Sequence, residues 1–208
     1  MVPRSAWQLS SLFLIGFALA FDSSEAATRL EQAEQLFHTG NGHAAEKIYR
    51  SLIREITSAS TVPEASSEVH VRALSGLLGV ALRYGDHPLA EKTIEAATTT
   101  FPSNPGLLTR AGEYMLYRGR LEDARSLWSR ALELDSEAME ARYRLAELER
   151  SQAPQRDPKA PYQWFEKRFR SKQPIAPNDL EWIGRACLRL EKYEWDGAQK
   201  AYQDALDA

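Results

Sequence analysis

Small and bulky apolar residues are set among polar ones along this chain at one recurring spacing. An alanine is followed four residues on by a bulky residue and three further by a small or aliphatic one, with a glycine five residues before the alanine. The copies read Gly40, Ala45, Tyr49, Leu52; Gly85, Ala90, Ile94, Ala97; and Gly119, Ala124, Trp128, Ala131. Positions i, i+4 and i+7 share one helical face, so each copy predicts a packing helix whose small side chains admit a neighbour while the bulky one fills the gap. The glycine fits the end of the preceding helix, where the chain enters a left-handed conformation that glycine adopts without steric cost. In the partner helices the matching position is small or apolar: Ala33, Leu78, Gly112, Ala146 and Gly184. A partial fourth copy, Ala198, Tyr202, Ala205, lacks the glycine in register.

The last two full copies lie 34 residues apart. A fixed period of this size implies stacked helical hairpins, because one hairpin cannot cover its own apolar face. The pattern resembles the tetratricopeptide repeat family. Its best copy is 104–136, where Leu108, Ala111, Gly112, Met115, Gly119, Leu121, Ala124, Trp128 and Ala131 follow the family's order and Leu-Asp-Ser-Glu replaces the closing proline. A second copy, 72–104, keeps that proline as Pro102. The copy at 26–57 is weaker, with Gly42 and Leu52 in place of the usual aromatic and alanine, and 178–208 keeps Leu180, Ile183, Gly184, Tyr193, Ala198, Tyr202 and Ala205 with two extra residues in the turn. The resemblance implies an all-α fold: an α-solenoid of antiparallel helix hairpins in a right-handed superhelix of four to five repeats, spanning 27–208. It implies a concave groove that binds protein or peptide ligands.

Two stretches interrupt the register. Residues 57–68 are polar and carry Pro63, which reads as a surface loop and accounts for a gap of 45 residues between the first two alanines. After a charged helix at 137–150, residues 151–161 hold three prolines that forbid a continuous helix. Pro161 then stands at a helix start, followed by Tyr162, Trp164, Phe165 and Phe169 interleaved with Lys167, Arg168, Arg170 and Lys172. Tyr162, Phe165 and Phe169 share a face, which reads as the second helix of a degenerate repeat at 138–172 with buried aromatics and solvated cations. The sharper reading makes the basic run an anion-binding or partner-docking edge. Pro174 and Pro177 are expected to end this helix and lead into the last repeat.

The first twenty residues differ in kind: a positive charge at Arg4, an apolar run from Leu9 to Phe17, and Ala18-Leu19-Ala20 in small-x-small form. This is the layout of a secretory signal peptide, with a second possible cut after Ala26 and an uncleaved anchor as the alternative. The apolar core falls short of the ~20 residues that span a bilayer. Export fits a chain whose single cysteine, Cys187, permits no internal disulfide and reads as a core residue. Together these features suggest a bacterial envelope compartment, periplasmic or secreted. With 43% hydrophobic and 26% charged residues and a net charge of −3, the chain has material for a stacked core and no basic footprint for nucleic acid.

Catalytic patterns are missing from the sequence. His38, His43, His70 and His87 lack metal-ligand spacing, and there is no phosphate-binding Gly-x-x-x-x-Gly-Lys, no Gly-x-Ser-x-Gly and no Cys-x-x-Cys. The expectation is therefore a binding scaffold without catalysis and without cofactor or metal. Carrying over the family's groove positions, the resemblance implies a peptide site at Glu34 and His38, Arg72 and Arg83, Glu113 and Tyr117, Tyr143 and Glu147, and Arg185 and Arg189. The lysines and asparagines with which some family members clamp a C-terminal carboxylate are absent at the matching positions, which disfavours that ligand. The stripe at Tyr202 has no following helix to cover it, so self-association, a covering partner or a longer protein is expected at that end. The functional alternative to an envelope adaptor is the recognition arm of a larger envelope enzyme or export component, such as a peptidase or a polysaccharide secretion protein.

Overall fold

Three nearly identical turns set the path of the chain. At each, the N–H after a glycine reaches back five residues to a helical carbonyl: Asn41 to Leu36 at 2.8 Å, Asp86 to Ala81 at 2.9 Å, and Arg120 to Met115 at 2.8 Å. Gly40, Gly85 and Gly119 hold φ of 90°, 66° and 72°. This arrangement ends a helix by satisfying its orphan carbonyls, and it needs a residue tolerant of the left-handed region. The side-chain Oδ1 atoms of Asn41 and Asp86 then accept the N–H of Ala44 and Leu89, capping the next helix. One residue thus closes one helix and opens its antiparallel partner.

The computed structural model describes residues 22–59, 65–153, 157–171, 173–190 and 203. In chain order the helices are α1 (Ser23–His38), α2 (Gly42–Ser58), α3 (Ala65–Tyr84), α4 (His87–Thr100), α5 (Pro105–Tyr117), α6 (Leu121–Leu134), α7 (Met139–Gln152), a 3₁₀ turn (Ala160–Tyr162), α8 (Gln163–Arg170) and α9 (Pro177–Leu190). All regular structure among the described residues is helical, and α1/α2, α3/α4 and α5/α6 are the hairpins. Inner helices also pack on one another, α1 on α3, α3 on α5 and α7 on α9, so their outward faces share one side of the stack. The expected all-α solenoid is what the chain forms. The segment expected to be a signal peptide and the Ala198, Tyr202, Ala205 stripe lie outside the described residues.

The repeated bulky positions are core positions. Tyr49 and Trp128 are 1% and 0% exposed, and Ala45, Ala124 and Ala131 are fully covered. Gly42, out of pattern in the first copy, has its reason in Tyr84, whose ring crosses Gly42 where a side chain would stand. The Tyr84 hydroxyl accepts from the Gly42 N–H and donates to the Gly40 carbonyl, both at 3.3 Å. Tyr84 therefore ties the second hairpin to the first turn.

Two expectations need correction. The loop expected at 57–68 is helical at both ends of that range, because α2 runs to Ser58 and α3 begins at Ala65. Polar composition does not mean exposure here: Ser66 is fully buried and its hydroxyl meets that of Ser23 at 3.3 Å, and just beyond the stretch His70 is buried edge-on against Phe101. Nor does Pro174 end α8, which already stops at Arg170, and Pro177 opens α9 at its first position, where a missing N–H costs nothing. The aromatic-basic helix follows the plainer reading. Tyr162 and Phe165 are fully buried with Tyr143, Ile183 and Cys187 in a core separate from that of the first hairpins. Arg168 is drawn to Glu137 at 2.5 Å and to the Pro174 carbonyl at 2.9 Å, and Arg170 pairs with Glu166 at 2.6 Å.

Candidate functional site

The inner helices surround a cavity of about 680 Å³, open to solvent, on the concave side. It is lined by Glu34, Phe37 and His38 from α1, Arg72, Ser75, Gly76, Gly79, Leu82 and Arg83 from α3, Arg110, Glu113, Leu116 and Tyr117 from α5, and Arg144 from α7. A second hollow of about 350 Å³ adjoins it through the shared Leu116 and Arg144 and is lined further by Tyr143, Glu147, Leu148, Ser151, Arg185 and Arg189. All ten residues singled out from the sequence thus line one or other of two adjoining hollows.

Register explains the shape. Gly76 and Gly79 on α3 stand 34 residues before Arg110 and Glu113 on α5, which stand 34 before Arg144 and Glu147 on α7. Where α5 and α7 project an arginine and a glutamate, α3 projects nothing, and the larger cavity opens there. Neighbouring aromatics come in close: a Cβ on Gly76 would lie 2.3 Å from Tyr49 Cζ, and one on Gly79 would lie 3.4 Å from Phe37 Cζ.

Most groove charges are spent on one another. Arg72 forks onto Glu34, Nη2 to Oε2 at 2.6 Å and Nε to Oε1 at 3.1 Å, tying α3 to α1. That hydrogen-bonded carboxylate holds the Arg72 guanidinium above its ordinary value. Glu113 accepts from Arg110 at 2.8 Å and from Arg144, joining α5 to α7. Glu140 lies beside them, 3.4 Å from Arg144 and 4.0 Å from Arg110. Burial pushes the Glu140 carboxyl up to about 7, with Arg110 and Arg144 opposing the rise and Glu113 adding to it. Glu147 takes Arg189 at 2.9 Å and the Tyr162 hydroxyl. Burial works against the Glu147 charge, but Tyr162, Arg189 and Arg150 together hold it below the usual range. Arg185 pairs with Glu181 at 2.5 Å.

Arg83 differs. Its guanidinium carbon lies 3.7 Å over the Phe37 ring and one N–H donates to the Phe37 carbonyl, and no carboxylate among the described residues pairs with it. Tyr117, at the same position one repeat later, is 60% exposed with its ring 5.6 Å from His87. Tyr143 lines the second hollow, where its hydroxyl meets Arg189, with only a small part of its ring accessible. It is 6% exposed, with its ring packed 5.4 Å from Trp182 and near Tyr162 and Phe165, so most of it belongs to the core behind the wall.

Phe37, Leu116, Arg110 and Arg144 went unrecognised as groove residues in the sequence. The signal was available: Arg-x-x-Glu recurs at Arg110/Glu113 and Arg144/Glu147, and Leu82-Arg83 recurs as Leu116-Tyr117, both at 34 residues. Among the described residues no cluster of His, Cys, Asp or Glu is arranged to hold a metal ion, and no helix is long and apolar enough to cross a membrane.

Comparison with known proteins agrees with this architecture. Residues 109–174 match the family model described as tetratricopeptide repeat. PilF of Pseudomonas aeruginosa is similar in fold, with a TM-score of 0.50 and 17% identity over 89% of this chain and 77% of that one. MamA gives a TM-score of 0.48 and 17% identity over 84% of this chain and 92% of that one. Among curated proteins, none matches this sequence significantly. Residues 109–174 are thus identified as tetratricopeptide repeat, and the helical hairpins of the chain share the fold of a protein built in this way.

Proposed function

We propose that this protein is a non-catalytic adaptor that holds a segment of another protein in the groove formed by α1, α3, α5 and α7. The fold supports an interaction scaffold in general. The observation that carries the finer reading is the groove itself: two adjoining hollows whose walls combine rigid, mutually paired charges with exposed Tyr117 and Leu116, 60% and 39% accessible. Exposed aromatic and arginine side chains on a preorganised wall are what an interface hot spot requires. We place the adaptor in the bacterial envelope on the strength of the apolar, small-x-small pattern of residues 1–20.

The test is affinity capture from envelope extract with the full chain, compared with a Tyr117→Ala/Leu116→Ala/Arg83→Ala variant. The expected result is one or a few partners lost from the variant, whose helical circular dichroism is unchanged. Identical captured sets would remove the groove from the function. Export is tested separately by fractionating cells that express the chain with a C-terminal tag: tagged protein confined to the cytoplasm would sink the envelope assignment.

A further inference from the structure

Charge in the groove is unbalanced in a particular way. Its two hollows are lined by six arginines, Arg72, Arg83, Arg110, Arg144, Arg185 and Arg189, against three glutamates, Glu34, Glu113 and Glu147. Glu140 beside Arg110 and Arg144, and Glu181 on Arg185, offset part of this excess and leave Arg83 as the lining arginine with no carboxylate partner among the described residues. Each of the three glutamates already accepts from at least one arginine, and Glu113 accepts from two. A basic ligand would have to share a carboxylate already engaged by arginine. An acidic ligand need not, because Arg83 stands ready.

Arg83 is held for that role. Stacking on Phe37 and donation to the Phe37 carbonyl fix the plane of the guanidinium. A guanidinium carries five N–H donors in a rigid fork, and one is used, which leaves an edge able to take a carboxylate through two parallel hydrogen bonds. The apolar half of the site lies one repeat further along. Tyr117 and Leu116 on α5 are the equivalents of Arg83 and Leu82 on α3, and all four line the same cavity. Packed helices stand about 8–10 Å apart, and an extended peptide advances about 3.3 Å per residue. A carboxylate and an apolar side chain spaced about three residues apart would therefore reach both positions together.

We propose that the groove selects an extended acidic segment of a partner protein, in which a carboxylate side chain is taken by Arg83 and an apolar side chain about three residues away rests on Tyr117 and Leu116. The proposal rests on the reading of the groove as a peptide site, and the experiment separates the two. Three labelled decapeptides are titrated by fluorescence anisotropy into the full chain and into the Arg83→Ala, Arg83→Glu, Tyr117→Ala and Lys92→Ala variants. The peptides share a phenylalanine and carry, three residues from it, a glutamate, a glutamine or a lysine.

The glutamate peptide is expected to bind about tenfold or more tightly than the glutamine peptide. That margin is lost in Arg83→Ala and reversed in favour of lysine in Arg83→Glu. Tyr117→Ala weakens all three peptides, and Lys92→Ala, an exposed charge on α4, changes nothing. If the three peptides bind equally and Tyr117→Ala weakens them, the groove binds peptides and the acidic preference is overturned. If none binds in a way that depends on Tyr117 or Arg83, both readings fall. Concentration-dependent self-association of the chain, abolished by Arg83→Glu, would assign the groove to a second copy and overturn the acidic partner.

Discussion

Gly112 and Trp128 occupy the same space: a Cβ on Gly112 would stand 2.4 Å from the Trp128 indole nitrogen and 2.7 Å from Cδ1. Trp128 cannot yield, being fully buried with Nε1 donating to the Thr109 carbonyl at 3.0 Å. This contact seats α6 on α5, and it sets the repeat's glycine and its bulky residue as one unit.

Gly112→Ala is therefore expected to destabilise by about 1–3 kcal/mol, overpacking outweighing the gain in helix propensity. Gly119 makes a useful contrast, with φ of 72° and open space where a side chain would go. Gly119→Ala should cost about 1 kcal/mol through backbone strain alone, and Gly119→Asn less. Urea unfolding of the three variants checks the order. Equal costs for Gly119→Ala and Gly119→Asn would show that the turn is not the source.

Glu140 makes stability depend on pH across neutrality. Its carboxyl is raised from 4.5 to about 7 by burial, so the folded state holds the proton more tightly than the unfolded one. Protonation then favours folding, and this site's contribution falls as pH rises from about 4.5 through about 7. Glu140→Gln, which mimics the protonated form, should match the parent at pH 5 and exceed it at pH 8 by roughly 1–3 kcal/mol. Chemical denaturation at the two pH values decides it: a variant less stable at pH 8 would mean that the Arg110 and Arg144 attractions dominate.

Tyr117 and Tyr143, equal in the sequence as groove candidates, should part company on substitution. Tyr143→Ala empties an aromatic core and is expected to cost about 3–5 kcal/mol. Tyr117→Ala should stay within about 0.5 kcal/mol, because that ring is 60% exposed. Thermal melts followed by circular dichroism measure both, and a large loss with Tyr117→Ala would give that ring a structural role.

The third turn has room for improvement. Asp86 caps α4, but Arg120 makes no side-chain cap on α6. Arg120→Asn should raise stability by about 0.5–1 kcal/mol, and Asp86→Ala should lower it by about 1 kcal/mol. The exposed Arg120–Asp123 pair lost in the first variant is worth little. A lower melting temperature for Arg120→Asn would refute the capping account.

The hairpins were legible in the sequence because each rests on local rules. A glycine that enters the left-handed region, followed at once by a capping Asn or Asp, ends one helix and starts another whatever surrounds it, as at Gly40 and Gly85. The 34-residue register of Gly112, Ala124, Trp128 and Ala131 likewise reports a packing face that any stacked repeat must have. Groove positions could be carried along that register, which is why Arg72, Arg83, Glu113 and Tyr117 line one cavity. Residues 57–68 read as a loop because polarity suggests exposure, whereas Ser66 in that stretch is polar and fully buried.

What the tertiary structure alone decided is how side chains from different repeats meet. The pattern of small and bulky residues determined the helices, their turns and their stacking, since these depend on backbone geometry and apolar periodicity. It left open that Gly76 and Gly79 hollow the wall, that Glu113 is shared by arginines of two helices, that the Tyr143 ring packs on Trp182, and that Arg83 lies on Phe37 with no carboxylate partner among the described residues. Those outcomes depend on distances between helices far apart in the chain, where a charge is either neutralised by a neighbour or left for a ligand.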